Sequence, residues 1–246
     1  MSYQNFAEIY DYLMNNDDYD LWVDNIIAIF DRYNFQPRKI FELACGTGNI
    51  TTRLYKKGYS IIGTDVSDHM LEVANEKALD ESLRIRFINQ DMRHITYNKK
   101  VDCVISICDG INYVITNDDL IKTFSSVASI LNPKGLFIFD ISTVHKYENV
   151  IGNNIFTENF EFFSYVWDNE YDIDNHLLTF NLTTFIRSND HLFERFIEEH
   201  KQKAYTIEEI HNGLDEEFEL LGIFSEDDLK DVKETDERIF FVAQRK

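Results

Sequence analysis

Short apolar runs alternate along this chain with stretches in which apolar residues recur every three or four positions. Leu21, Trp22, Ile26, Ile29, Phe30 and Tyr33 fall on one face of a helix predicted over Tyr19 to Tyr33. Short apolar runs follow at Ile40-Phe41, Tyr59 to Thr64, Arg84 to Asn89, Val101 to Ile107 and Leu136 to Ile141. Helical spacing lies between them, most clearly from about Asp118 to Leu131. Buried strands separated by helices predict a mostly parallel sheet covered on both faces. A last helix reads from Ile207 to Leu214, and two strands, Phe218 to Phe224 and Arg238 to Ala243, predict a closing hairpin.

Residues 150–205 break this rhythm. Three runs rich in aromatic and β-branched residues, Asn159 to Tyr171, His176 to Arg187 and His191 to Tyr205, are separated by the turn segments Asp172 to Asn175 and Ser188 to Asp190. Alternation along Leu178 to Thr183 and Phe193 to His200 predicts a three-stranded antiparallel platform, inserted after the fifth strand of the main sheet.

Candidate chemistry starts at Ile40 to Asn49, which reads I-F-E-L-A-C-G-T-G-N. A strand ends at Glu42, passes through a turn bearing Gly46 and Gly48, and enters a helix, an arrangement that brings backbone close to a ligand. The dinucleotide pattern G-x-G-x-x-G requires a third glycine, and Thr51 stands there instead. A phosphate-cradling loop requires a lysine beside the second glycine, and Asn49 follows Gly48. The next strand ends at Asp65, 19 positions after Gly46, where an acid can accept from ribose hydroxyls. Ser67 is placed to cap the helix that follows. The third strand runs into Asp91 and Met92, and the fourth into Cys108, Asp109, Asn112 and Tyr113.

The motif E-x-A-x-G-x-G, the ordered acids at later strand ends, and Leu131-Asn132-Pro133-Lys134-Gly135 before the fifth strand together resemble the class I S-adenosylmethionine-dependent methyltransferases, continuously over residues 40–141. Ala44 departs mildly from the usual first glycine of that motif. The resemblance implies an α/β fold: a Rossmann-like, doubly wound, seven-stranded and mostly parallel sheet with an antiparallel last strand, here carrying the inserted antiparallel platform. It also implies S-adenosyl-L-methionine as cofactor. Glu42, Ala44, Cys45, Gly46 and Gly48 would then lie along the methionine moiety, Asp65 at the ribose, Val66 and Met70 around the adenine, Asp91 and Met92 at its edge, and Cys108 below the methionine moiety. The domains expected are an N-terminal helical lid over 1–36, a cofactor-binding core over 37–149 and 206–246, and the insertion over 150–205.

Composition narrows the acceptor. Forty-four acids against 24 bases give a net charge of −20, and the densest basic runs are Lys56-Lys57 and Lys99-Lys100, so a nucleic-acid substrate is disfavoured. With Pro37 followed by Arg38 and Pro133 by Lys134, the N-P-P-[YF] signature of adenine and glutamine amino-methyltransferases and the Pro-Cys pair of cytosine C5 enzymes are both absent. No apolar stretch approaches the ~18 residues of a membrane span, and the N-terminus lacks an export signal, so a cytoplasmic enzyme without a membrane partner is expected. Cys45, Cys103 and Cys108 form no C-x-x-C pair and read as reduced thiols, with no metal site.

Specificity falls to the two outer segments. Tyr10 and Tyr19 are the lid candidates, since aromatic faces suit a sulfonium and a lid excludes water; plain packing is the competing reading. Insertions of this kind resemble those of glycine and amino-sugar N-methyltransferases, which implies a small amine acceptor. The inserted sheet otherwise serves as a cover or as the interface of a homodimer. Asp109, Asn112 and Tyr113 are the candidate acceptor contacts and His145 the candidate base, needed only if the acceptor must lose a proton. Proximity and desolvation would supply most of the acceleration. Two alternatives to the enzyme stand beside it: a non-catalytic binding or interaction protein of the same fold, and an NAD-type oxidoreductase, which Thr51 and the absence of any Y-x-x-x-K disfavour.

Overall fold

The computed structural model describes residues 3–14, 19–189 and 192–246; the Phe6 side chain, Asp190 and His191 lie outside what it describes. The first helix is α1 (Tyr3–Leu13) and the second α2 (Tyr19–Arg32), with Asp20 in the first turn and Arg32 in the last, both complementing the helix dipole. Then come β1 (Ile40–Glu42), α3 (Asn49–Lys56), β2 (Ile61–Asp65), α4 (Asp68–Asp80), β3 (Arg86–Asn89), β4 (Val101–Ser106), α5 (Asn117–Ile130) and β5 (Leu131–Ser142). Ser67 caps α4 as its spacing predicts, its hydroxyl accepting from the Met70 amide at 3.3 Å.

The main sheet has the order β10-β11-β5-β4-β1-β2-β3, completed by β10 (Phe218–Ser225) and β11 (Arg238–Arg245). β11 runs antiparallel to both neighbours, and the strands from β5 to β3 are parallel. Alternate residues sort cleanly between the two faces. Phe41, Val104, Phe137 and Phe139 pack with α5 and α6 (Ile207–Leu214), whereas Ile40, Cys103, Ile105, Leu136 and Ile138 pack with α2 and α3. The Pro133-Lys134-Gly135 segment is a bulge within β5 instead of a turn before it: the register against β4 shifts between Val101 and Cys103.

The insertion forms a separate antiparallel sheet of four strands, β6 (Ile155–Asn159), β7 (Phe163–Asp172), β8 (Leu177–Asn189) and β9 (Leu192–Lys203), in sequential order. Three strands were expected. The run beginning at Asn159 turns back on itself, the Phe160 amide donating to the Phe163 carbonyl at 2.8 Å, and so ends one strand and starts another. The added edge strand is short and almost wholly exposed, with Ile155 at 62% exposure, so it carries no alternation to read. Beneath this sheet Tyr147, Ile151, Tyr171, Leu178, Phe180 and Ala204 form a third apolar cluster. Among the described residues no helix is long and apolar enough to cross a membrane.

Candidate active site

The C-terminal ends of β1 to β4 share one edge of the sheet, the place where doubly wound folds bind ligands. After β1 the backbone adopts positive φ at Ala44 (48°), Gly46 (52°) and Gly48 (77°). This turns amides, not side chains, toward the edge, and a Cβ added at Gly46 would meet nothing within 4 Å. Asp65 locks the turn: its carboxylate accepts from the Gly46 amide at 2.9 Å and the Ser67 amide at 2.8 Å. Burial nevertheless pushes the Asp65 carboxyl above its ordinary value. Glu42 lies beneath, 2% exposed, accepting from the Thr51 hydroxyl. Burial pushes Glu42 up to about 8 against that hydrogen bond, and Asp65 adds to the rise.

Thr51 is accommodated by a glycine on the opposite side of the contact. A Cβ at Gly63 of β2 would stand 2.9 Å from the Thr51 hydroxyl and 2.7 Å from the Phe87 ring. Close packing of helix on strand, which the dinucleotide fold obtains from the helix, comes here from the strand.

From this corner a cleft of about 720 Å³ runs past the ends of β2, β3 and β4 to the inserted sheet. Of the residues expected around the cofactor, Tyr10, Ala44, Gly46, Asp65, Val66, Met70, Asp91, Met92 and Cys108 line it, as does Tyr113 among the acceptor candidates. Asp91 is already engaged, its two oxygens gripped by the Arg93 guanidinium at 2.6 to 3.1 Å, which outweighs partial burial and holds its carboxyl below the ordinary range.

Tyr19, Glu42, Cys45, Gly48, Asp109, Asn112 and His145 do not line the cleft. Tyr19 packs edge-on to Trp22 in the core of α2. Cys45 and Gly48 point into the fold, a Cβ at Gly48 meeting the Phe87 ring at 3.0 Å. Asn112 is fully buried and serves as a brace, donating to the Ser142 carbonyl at 3.1 Å and the Lys203 carbonyl at 2.8 Å while accepting from the Ser142 amide at 2.9 Å. Asp109 pairs with Arg238 and accepts from the Ser142 hydroxyl at 2.9 Å. His145 begins the helical turn Lys146–Ile151, beside Asn149. A polar residue after a strand serves bracing as readily as catalysis, and linear spacing does not distinguish the two.

His200 of β9 lines the cleft and was not among the expected site residues; neither were Arg93, Ile115 and Asp119. Hydropathy does not mark His200, because it shares the inward phase of β9 with the polar Glu198 and Gln202 while Phe193 and Ile197 face outward.

Two structures hold the cleft in shape. Below it, the buried Arg238 guanidinium joins Asp109, Asp140 and Glu226 and stacks over the Trp22 ring. Asp140 in turn accepts from the amides of Cys108 and Asp109, at 3.1 and 3.3 Å, and fixes the positive φ of both. Above it, α1 spans core and insertion. Asp11 accepts from Thr47 at 2.6 Å, Asn49 at 2.9 Å and Lys77 at 2.5 Å. Tyr10 approaches Cys108, oxygen to sulfur 3.9 Å, and Tyr12 packs on Phe162 and Phe163 of the insertion.

Residues 40–135 match the family described as a methyltransferase domain. Over the full chain and 98% of its relative, the sequence is 35% identical to the "Putative methyltransferase YqeM" of Bacillus subtilis (strain 168). The chain belongs to the class I S-adenosylmethionine-dependent methyltransferases. The crystal structure of an S-adenosylmethionine-dependent methyltransferase from Clostridium acetobutylicum ATCC 824 superposes with a TM-score of 0.88 at 34% identity, covering 99% of this chain and 98% of that one. The sugar N-methyltransferase KedS8 from Streptoalloteichus shares the fold, at 16% identity and a TM-score of 0.77, over 96% of this chain and 91% of that one.

The methyltransferase's residues fit its cofactor, which supplies a methyl group activated on a sulfonium sulfur. The side-chain-free backbone at Gly46 and the ring of Tyr10 suit a ligand with a polar tail, two hydroxyls and a cationic centre, as does the outward-facing Val66 at 67% exposure.

Proposed function

We propose that the protein transfers the methyl group of S-adenosylmethionine to a small-molecule amine. The observation that carries this reading is the charge of the cleft. Asp65, Asp68, Asp91 and Asp119 line it, and its one arginine, Arg93, is bound to two of them. On a chain of net charge −20, such a cleft attracts cations and repels phosphates and carboxylates. Its volume of about 720 Å³ suits a cofactor with a small acceptor, and a sugar N-methyltransferase shares the fold over 96% of this chain.

In this reading Ala44, Gly46 and Asp65 hold the methionine and ribose portions, Val66, Met70 and Met92 flank the adenine, and Tyr10 closes over the sulfonium from α1. Glu42 acts from beneath the turn and Asn112 braces the insertion against the core. Acceptors are met at the end where Tyr113 and His200 stand. Of the segment 1–36, α1 acts as lid, while α2 belongs to the core of the main sheet, and 150–205 acts as acceptor roof.

The test is a screen of primary and secondary amines, hydroxy acids and phenols, with S-adenosylhomocysteine release as readout. Turnover is expected with amines. Turnover confined to phenols or hydroxy acids would overturn the amine reading.

A further inference from the structure

β9 is built with its polar residues inside. Glu198, His200 and Gln202 are buried at 6 to 7% exposure, while Phe193 and Ile197 face outward at 51% and 50%. Register places Trp167, Leu182 and Glu198 in one row across the sheet, and Asn169, Phe180 and His200 in the next. The Phe180 ring stacks on His200 at 4.8 Å, Tyr113 meets His200 edge-on at 6.0 Å, and His200 reaches the cleft. Glu198 therefore sits two residues beyond the wall of the cleft, on the same face.

Gln202 is satisfied, accepting from the Tyr147 hydroxyl at 2.9 Å. Glu198 is not: neither carboxylate oxygen takes a hydrogen bond, and among the described residues no lysine or arginine pairs with it. Its charged contact is His200 Nε2, at 3.4 Å. Burying a carboxylate without a full cation is strongly unfavourable, and such groups are normally paired. A cation brought by the ligand supplies that partner.

We infer that Glu198 is the counter-ion for the protonated amine of the methyl acceptor, with His200 as the group that takes its proton. The inference rests on the amine reading above. The ammonium N–H bond breaks, its proton passes to the His200 imidazole, and its electron pair stays on nitrogen as the nucleophile. The imidazolium is held by Glu198 until its proton passes to solvent.

The direct measurement is thermal unfolding of the full chain saturated with S-adenosylhomocysteine, in ethylammonium chloride and in sodium chloride of equal ionic strength. Ethylammonium at ten times its Kd is expected to raise Tm by about 3 °C over sodium. Glu198→Gln should abolish that difference, and Glu198→Asp, which keeps the charge, should retain part of it. With an amine substrate found by the screen, Glu198→Gln should act mainly on KM, by roughly tenfold or more. His200→Asn should act mainly on kcat. S-adenosylhomocysteine affinity should stay within about twofold in both variants, since neither contact is to the cofactor turn. An ammonium effect that is absent, or that survives in Glu198→Gln, overturns the inference even if amines are methylated. An ammonium effect that requires Glu198, in a protein that methylates only phenols, supports the cation subsite while sinking the amine reading.

Discussion

At the glycine-turn end of the cleft, Asp65 accepts from two backbone amides, Glu42 from Thr51, and Asp91 from Arg93. In the inserted sheet beyond the other end, Trp167, Asn169, Tyr171 and Glu198 bury polar atoms without a hydrogen-bond partner. At the first end the carboxylates are engaged before any ligand binds; at the other a buried carboxylate is left without a hydrogen bond. A complete site is preorganised and spends little binding energy on ordering itself. An incomplete one stores its specificity in groups that become satisfied when the right ligand arrives, and rejects ligands that leave them unpaired. That division suits a methyltransferase, whose cofactor is constant across the family and whose acceptor is not.

The β4 end between them, at Cys108 and Asp109, rests on Arg238 through Asp140, and the largest expected effect comes from removing that arginine. Arg238→Met should destabilise the fold by roughly 3–5 kcal/mol, because Asp109 and Asp140 would remain as buried carboxylates without their cation. Denaturant unfolding measures this. A loss below about 1 kcal/mol, no more than an exposed ion pair is worth, would show that the β4 end does not depend on this buried cation.

Asp65→Ala separates the ends next. It removes the lock on the Gly46 turn and, on the proposed reading, the acceptor for the ribose, and should weaken S-adenosylhomocysteine binding about 100-fold by calorimetry. The ammonium effect at the insertion end should persist in that variant at raised cofactor concentration; if it vanishes as well, the ends are one site and not two.

A pH dependence should come from the cofactor end. Glu42 holds its proton to about 8 in the folded protein against an ordinary value of 4.5. Between those values the folded state binds more protons than the unfolded one, so this contribution is complete below 4.5 and is lost as pH rises through 8. Each pKa unit is worth about 1.4 kcal/mol. Glu42→Gln lacks that loss, so its Tm relative to the parent should climb from pH 5 to pH 9. A constant difference would mean that Glu42 is ionised throughout.

The smallest effect concerns α1. Asp11→Ala frees the helix from Thr47, Asn49 and Lys77 while leaving Tyr12 on the insertion. Worth about 1 kcal/mol, the change should speed S-adenosylhomocysteine release roughly fivefold in stopped-flow. An unchanged rate would show that the latch does not govern release.

The cofactor half was legible because its chemistry is local. A strand end, a turn and a helix start lie within ten residues, and the acids at Asp65 and Asp91 mark later strand ends in order. Burial depth was not legible. Asp109 and Asn112 follow β4 as acceptor contacts should, yet their partners Arg238, Ser142 and Lys203 arrive from distant parts of the chain. Sequence alone singles out His145 as the candidate base and leaves His200 unremarked. His145 stands at the start of a helical turn outside the cleft, whereas His200 faces the cleft from β9, whose polar residues Glu198, His200 and Gln202 share the buried phase against the usual apolar-in alternation. Thr51 shows the same limit: it spoiled a dinucleotide motif on paper, but the missing glycine stands across the contact, at position 63.

The double attachment of α1 has a kinetic consequence. Asp11 grips the cofactor turn while its neighbour Tyr12 grips the insertion, so one turn of helix is common to the floor under the first substrate and the roof over the second. Lifting that helix exposes both compartments together. On the proposed reading, the two substrates would share a single gate, and the spent cofactor would leave through the same opening that admits the next acceptor.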